Sequence, residues 1–106
     1  MAEKTIMLCC AAGMSTSMLV AKMQKAAEAQ NKDVEIFAVS ASEADNELAT
    51  KNINCVLLGP QVRYMEADFK KKLEGKNIPL AVIDMQAYGM MNGEKVLGQA
   101  YEMMGE

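Results

Sequence analysis

A chain of 106 residues with 51% hydrophobic and 24% charged residues has an ordinary globular make-up, and is long enough to bury roughly two-thirds of the surface its unfolded form exposes. Its net charge of −3 and pI near 5.0, with no Lys/Arg run flanked by aromatics on a predicted sheet, argue against a nucleic-acid surface. Three Cys, two of them adjacent, make neither a disulfide framework nor a zinc or thioredoxin-type pair, and the lack of any His removes the commonest metal ligand, the commonest general base and any phosphohistidine on this chain. No apolar run approaches the ~18 residues of a membrane span and no signal-type apolar segment is seen, so a cytoplasmic protein without metal or cofactor is expected.

In chain order, Lys4 to Cys9 reads as a buried strand, and a helix follows from about Thr16 to Gln30, with Leu19, Met23, Ala26, Ala27 and Gln30 at helical spacing. Val34 to Val39 is a second strand of edge character. Ser40 with Glu43 three residues on has the pattern of a capping box and opens a weak helix carrying Ala41, Ala44 and Leu48. Ile53 to Leu58 is nearly unbroken in its hydrophobicity, as a central parallel strand covered on both faces should be, and stops at Gly59-Pro60. Val62, Met65, Phe69 and Leu73 predict a third helix, with Lys70, Lys71 and Lys72 complementing the dipole of its last turn and Gly75 beyond it. Pro79 to Ile83 is the fourth strand. Asp84 to Gly93 reads as a loop, and a final helix begins at Gly93 or Glu94 with Leu97, Ala100, Tyr101 and Met104 on one side.

Strands alternating with helices predict a three-layer α/β domain spanning residues 1–106, with a four-stranded parallel sheet and helices on both faces. Edge-like strand 2 and deeply buried strand 3 point to the order 2-1-3-4. The winding then reverses between strands 1 and 3, where ligands of such sheets bind beyond the strands' carboxyl ends.

Strand 1 runs into Ala11-Ala12-Gly13-Met14-Ser15-Thr16-Ser17, small and hydroxyl-rich, just before a helix. Backbone N–H groups at a helix N-terminus make an anion site, and Cys10 stands where that loop begins. The same field favours a thiolate, lowering a thiol from its free value of about 8.5. Cys9 and Cys55 lie within apolar runs and read as core, as do most of the 11 Met. Met14, in the loop itself, does not. Of the residues near the same rim, Gly59 and Pro60 suit a turn and Asp84 a cap.

The spacing Cys, five residues, Arg, then Ser or Thr belongs to low-molecular-weight tyrosine phosphatases; here the Arg position is Thr16 and the next is Ser17. Without the guanidinium that clamps the transferring phosphoryl group, hydrolysis loses a large part of its transition-state stabilisation. Such a phosphatase, with Asp84 as acid, and a non-enzymatic flavodoxin-like binding module are the alternatives. A metal-dependent receiver domain is excluded, since no acidic pair follows strand 1.

Leu8 to Leu19, Val56-Leu57-Leu58-Gly59-Pro60-Gln61-Val62-Arg63-Tyr64-Met65, Val82-Ile83-Asp84 and Tyr88-Gly89 together resemble the enzyme IIB subunits of bacterial sugar phosphotransferase systems, lactose/cellobiose type. The resemblance runs over essentially the whole chain. It implies a flavodoxin-like, low-molecular-weight-phosphatase-like fold and a phosphocarrier that takes a phosphoryl group from a phosphohistidine on enzyme IIA onto Cys10. The group then passes to a cellobiose-, chitobiose- or lactose-type sugar held by the membrane component IIC. By the same resemblance Ala11 to Ser17 bind the phosphate. Gly59, Pro60, Gln61, Asp84 and Tyr88 are expected at the rim of the site, and the surface around the loop, including Met14, Gln61 and the Met85 to Met91 segment, is the expected docking face for partners.

Overall fold

Why each segment takes its conformation is legible once the strands are aligned. A computed structural model describes residues 4–10 and 14–105. It contains β1 (Lys4–Cys10), α1 (Met14–Ala29), β2 (Val34–Ser40), α2 (Ala44–Thr50), β3 (Cys55–Leu58), α3 (Glu66–Leu73), β4 (Leu80–Val82), α4 (Met85–Gly89) and α5 (Gly93–Met103). The strands form one parallel sheet in the order β2-β1-β3-β4.

Strand alternation sends successive side chains to opposite faces, and the two faces have separate cores. Ile6, Leu8, Cys55 and Leu57 pack with Leu19 and Met23 of α1 and Val96, Leu97 and Ala100 of α5. Met7, Cys9, Val56 and Leu58 pack with Ala44 of α2 and Phe69 and Leu73 of α3. Burial on both sides explains why β1 and β3 read as continuous apolar runs. The register sets Cys9 beside Val39 and Leu58, and Cys10 beside Ser40, so Cys10 is the last paired residue of β1 rather than the first of the loop.

Several boundaries differ from the sequence reading, each for a local reason. β3 begins at Cys55, not Ile53, because Asn54 meets β1 in another way: its backbone N–H donates to Thr5 O and its side-chain Oδ1 accepts from Thr5 N, both at 2.8 Å. The capping box does not form. Ser40 is extended as the end of β2, its hydroxyl lies 3.0 Å from that of Ser42, and a 3-10 turn over Ala41–Glu43 precedes α2. The third helix opens as a 3-10 turn over Pro60–Met65, kinked at Val62 (φ −116°, ψ 21°), whose side chain is drawn into the core beside Phe69. Residues 84–93 are not all loop: the Asp84 carboxylate accepts the Ala87 N–H at 3.0 Å and nucleates α4. Asn92 caps α5 in the same way.

Gly93 is where α5 meets α1. A Cβ there would stand 2.4 Å from the Lys22 carbonyl carbon and 2.6 Å from the Met23 nitrogen, so only glycine admits this approach. Gly93→Ala must push α5 off α1, and its expected cost is about 1–3 kcal/mol. A urea midpoint equal to that of the wild type would show that the helices can separate freely.

Candidate functional site

The site is assembled where β1, β3 and β4 end. Alternation along β1 sends the side chain of Cys10 to the α1 side, two residues on from Leu8. There its Sγ lies 3.1 Å from Oγ1 of Thr16 in the first turn of α1; Thr16 has no exposed surface and Cys10 retains 3%. Helix α1 starts at Met14, so Thr16 and Ser17 lie inside its first turn instead of capping it. Thr16, which the sequence reading placed among the residues that hold phosphate, directs its hydroxyl to the sulfur. Ser17 is exposed. Ala11, Ala12 and Gly13 lie outside the described residues, as do the side chains of Met14 and Ser15.

Gly59 closes the other side of Cys10. Its N–H donates to the Cys9 carbonyl at 2.8 Å, extending the β1–β3 ladder by one bond. Its φ of −63° is open to any residue, so the glycine is not there for the turn. An added Cβ would stand 3.2 Å from Oε1 of Gln61, its one tight approach, and at ordinary van der Waals distance, 3.4 Å, from the Cys10 Cβ and the Cys9 carbonyl oxygen, so Gly59 packs directly against the end of β1. Pro60 starts the 3-10 turn, where its missing N–H costs nothing. Gln61 reaches across to α4, its Nε2 donating to the Tyr88 hydroxyl at 3.2 Å, so two rim residues from different strand ends form one contact.

Asp84 is engaged elsewhere. Besides capping α4, its carboxylate lies 3.8 Å from the Lys95 ammonium, and its N–H donates to Gln99 Oε1 at 3.4 Å. The structure therefore ties Asp84 to α4 and α5. Arg63 is exposed, and of the lysines at the end of α3, Lys72 pairs with Asp45 at 3.0 Å.

Cys9 and Cys55 have no exposed surface, and both are pushed up to about 12. Burial is the main cause in each; for Cys9, neighbouring Cys10 adds to it and Lys72 opposes it. Both are held as neutral core thiols, inert as nucleophiles.

Exposed apolar side chains gather in segments that leave the same end of the sheet. Met18 in α1, Tyr64 after β3, and Met85 and Met90 in and after α4 are 61–76% exposed. Among the described residues Met7 and Met23 are fully buried and Met65, Met91, Met103 and Met104 are partly buried and packed against the cores, so Met18, Met85 and Met90 are the methionines that face outward. The sequence reading missed Met18 and Tyr64. The signal lay in Met18 falling off the Leu19–Met23 face of α1.

Residues 5–99 match the family described as "PTS system, Lactose/Cellobiose specific IIB subunit". The galactose-specific EIIB component of Lactococcus lactis subsp. cremoris (strain MG1363) is 53% identical over 107 residues, spanning 98% of this chain and 99% of that protein. The cellobiose-specific EIIB component of Lactococcus lactis subsp. lactis (strain IL1403) is equally similar, at 53% over the same spans. In three dimensions the fold matches the lactose-specific IIB component domain from Streptococcus pneumoniae with a TM-score of 0.84, at 17% identity, over 95% of this chain and 97% of that one.

Proposed function

Because the chain belongs to the lactose/cellobiose-specific IIB family of sugar phosphotransferase systems, we propose that Cys10 is the residue that carries the phosphoryl group. Components of this family work with a IIA component and a membrane IIC component. On this reading a thiolate at Cys10 attacks the phosphorus of a phosphohistidine on IIA; the P–N bond breaks, its electron pair stays on the imidazole, and an S–P bond forms. The phosphoryl group then passes to a sugar held by IIC. Residues 1–106 act as a single carrier domain.

One observation carries the assignment to Cys10. It is the thiol at the carboxyl end of the central strand, at the point where the winding reverses, while the other two are neutral and sealed in the cores. Residues 11–17 are proposed to hold the phosphate through backbone N–H groups at the start of α1.

Partners must bring a reacting atom to one sulfur, so the footprints of IIA and IIC overlap around it. Met18, Tyr64, Met85 and Met90, together with the Gln61–Tyr88 contact, supply an apolar surface with a polar latch for such docking. No helix among the described residues is long and apolar enough to cross a membrane; the proposed place of work is the cytoplasmic face of the membrane, reached through IIC. The sugar is of the β-linked disaccharide or galactoside class. Relatives named for galactose and for cellobiose are equally identical to this chain, which fits a sugar choice made largely by the membrane component.

Incubation with phosphorylated IIA, followed by intact-mass and peptide analysis, tests this directly. One phosphate on the peptide containing Cys10 is expected. Phosphate on any other peptide, or none, would overturn the assignment.

A further inference from the structure

Thr16 occupies the position where a phosphatase of this loop spacing carries its arginine, yet the structure gives it a task directed at the sulfur. We propose that the Thr16 hydroxyl stabilises Cys10 as a leaving thiolate and so keeps the phosphorylated protein a strong phosphoryl donor. The inference rests on Cys10 being the carrier.

The argument begins from the 3.1 Å separation between Cys10 Sγ and Thr16 Oγ1. With a protonated thiol either atom can donate. Once the sulfur is ionised it can only accept, and the threonine O–H is the donor. Thr16 has no exposed surface, so water cannot readily take over if the hydroxyl is removed. A hydrogen bond to a charged acceptor is roughly twice as strong as one to a neutral acceptor, and a sulfur bonded to carbon and phosphorus is only a weak acceptor. The contact is therefore weakest in the phosphocysteine and strengthens as the S–P bond breaks and its electron pair returns to sulfur.

That difference fixes the direction of the effect. An interaction stronger in the transition state than in the ground state accelerates the step in which it strengthens. Here that step is donation: the S–P bond breaks, the acceptor's nitrogen or oxygen bonds phosphorus, and the pair stays on Cys10. In the reverse step, acceptance from phosphohistidine, the same bond weakens as charge leaves the sulfur and gives no acceleration. Thr16 thus biases the carrier toward handing its phosphoryl group on, whereas a phosphate-binding hydroxyl would favour the phosphorylated state.

The exchange with IIA reads this without a sugar. Wild type, Thr16→Val, Thr16→Ala and Thr16→Ser would be equilibrated with phosphorylated IIA, and the ratio of phosphocysteine to free thiol measured by intact mass. The rate of return of phosphate to unphosphorylated IIA would be followed separately. Loss of the hydroxyl in Val or Ala is expected to shift the ratio toward phosphocysteine by ~10-fold or more and to slow the return step by a similar factor. Forward transfer should change little, and Thr16→Ser should restore the wild-type ratio. If one of the two apolar variants fails to fold, the other decides. An unchanged ratio, a shift toward free thiol, or failure of Ser to restore it overturns the proposal. A wild type that takes up no phosphate would instead refute the assignment of Cys10 as carrier.

Discussion

Cys10→Ser is expected to lose phosphoryl uptake from IIA, and with it sugar phosphorylation, by a factor of at least ~10³. A serine hydroxyl ionises far less readily than a thiol, and with no His in the sequence the commonest general base is missing. The neighbouring thiols cannot substitute. With each pushed up to about 12, Cys9 and Cys55 carry a thiolate fraction of only ~10⁻⁴ at pH 8. They are moreover enclosed on opposite faces of the sheet, Cys9 against Phe69 and Cys55 against the α1/α5 layer. Cys55→Ala should therefore keep uptake within a few-fold of the wild type and cost only the stability of a small cavity. Alkylation supplies an independent measurement. Native protein at pH 8 should take up label at Cys10 first and stop near one equivalent, whereas protein in urea takes up three, one for each Cys in the sequence. Phosphate uptake by Cys10→Ser, or native labelling of Cys55 ahead of Cys10, would contradict this.

The same two buried thiols should make the fold sensitive to alkali. Each titrates near 9.0 ordinarily and is pushed up to about 12 in the folded chain, chiefly by burial. Below about pH 9 both thiols are protonated in the folded and the unfolded chain alike, and they contribute no pH dependence. Between about 9 and 12 the unfolded chain sheds these protons while the folded chain keeps them, so stability falls as pH rises. The slope is a little over ~1 kcal/mol per pH unit for each thiol and ~3 kcal/mol per unit for the pair. From pH 9 to 11 the loss of ~5 kcal/mol is comparable with the whole stability of many domains of this size. Urea midpoints at pH 8, 9, 10 and 11 should hold steady and then drop, and Cys55→Ala should show about half the slope. Midpoints that stay level to pH 11 would show that neither thiol remains protonated by burial.

What the sequence determined by itself is what burial dictates over several residues. The runs around Ile6–Cys9 and Val56–Leu58 could only be strands covered on both faces, and alternation with amphipathic segments then left a parallel sheet in the order seen. Cys10 could be singled out because a thiol at the junction of a buried strand and a small hydroxyl-rich loop differs from one inside an apolar run. Tertiary structure decided what depends on competition between local partners. Ser40 and Glu43 have the pattern of a capping box, but pairing of Ser40 with Cys10 in the sheet holds Ser40 extended and leaves its hydroxyl to Ser42. Gly59 looks like a turn residue, but its φ is open to any residue; it packs against the end of β1, with Cys10 as a neighbour 49 positions away. Thr16 shows the limit most clearly. Its spacing from Cys10 marked it as the residue standing where an arginine would clamp phosphate, but spacing does not say which way a hydroxyl points. Only the docking of α1 against the end of β1 turns that hydroxyl onto the sulfur, where Thr16 has no exposed surface.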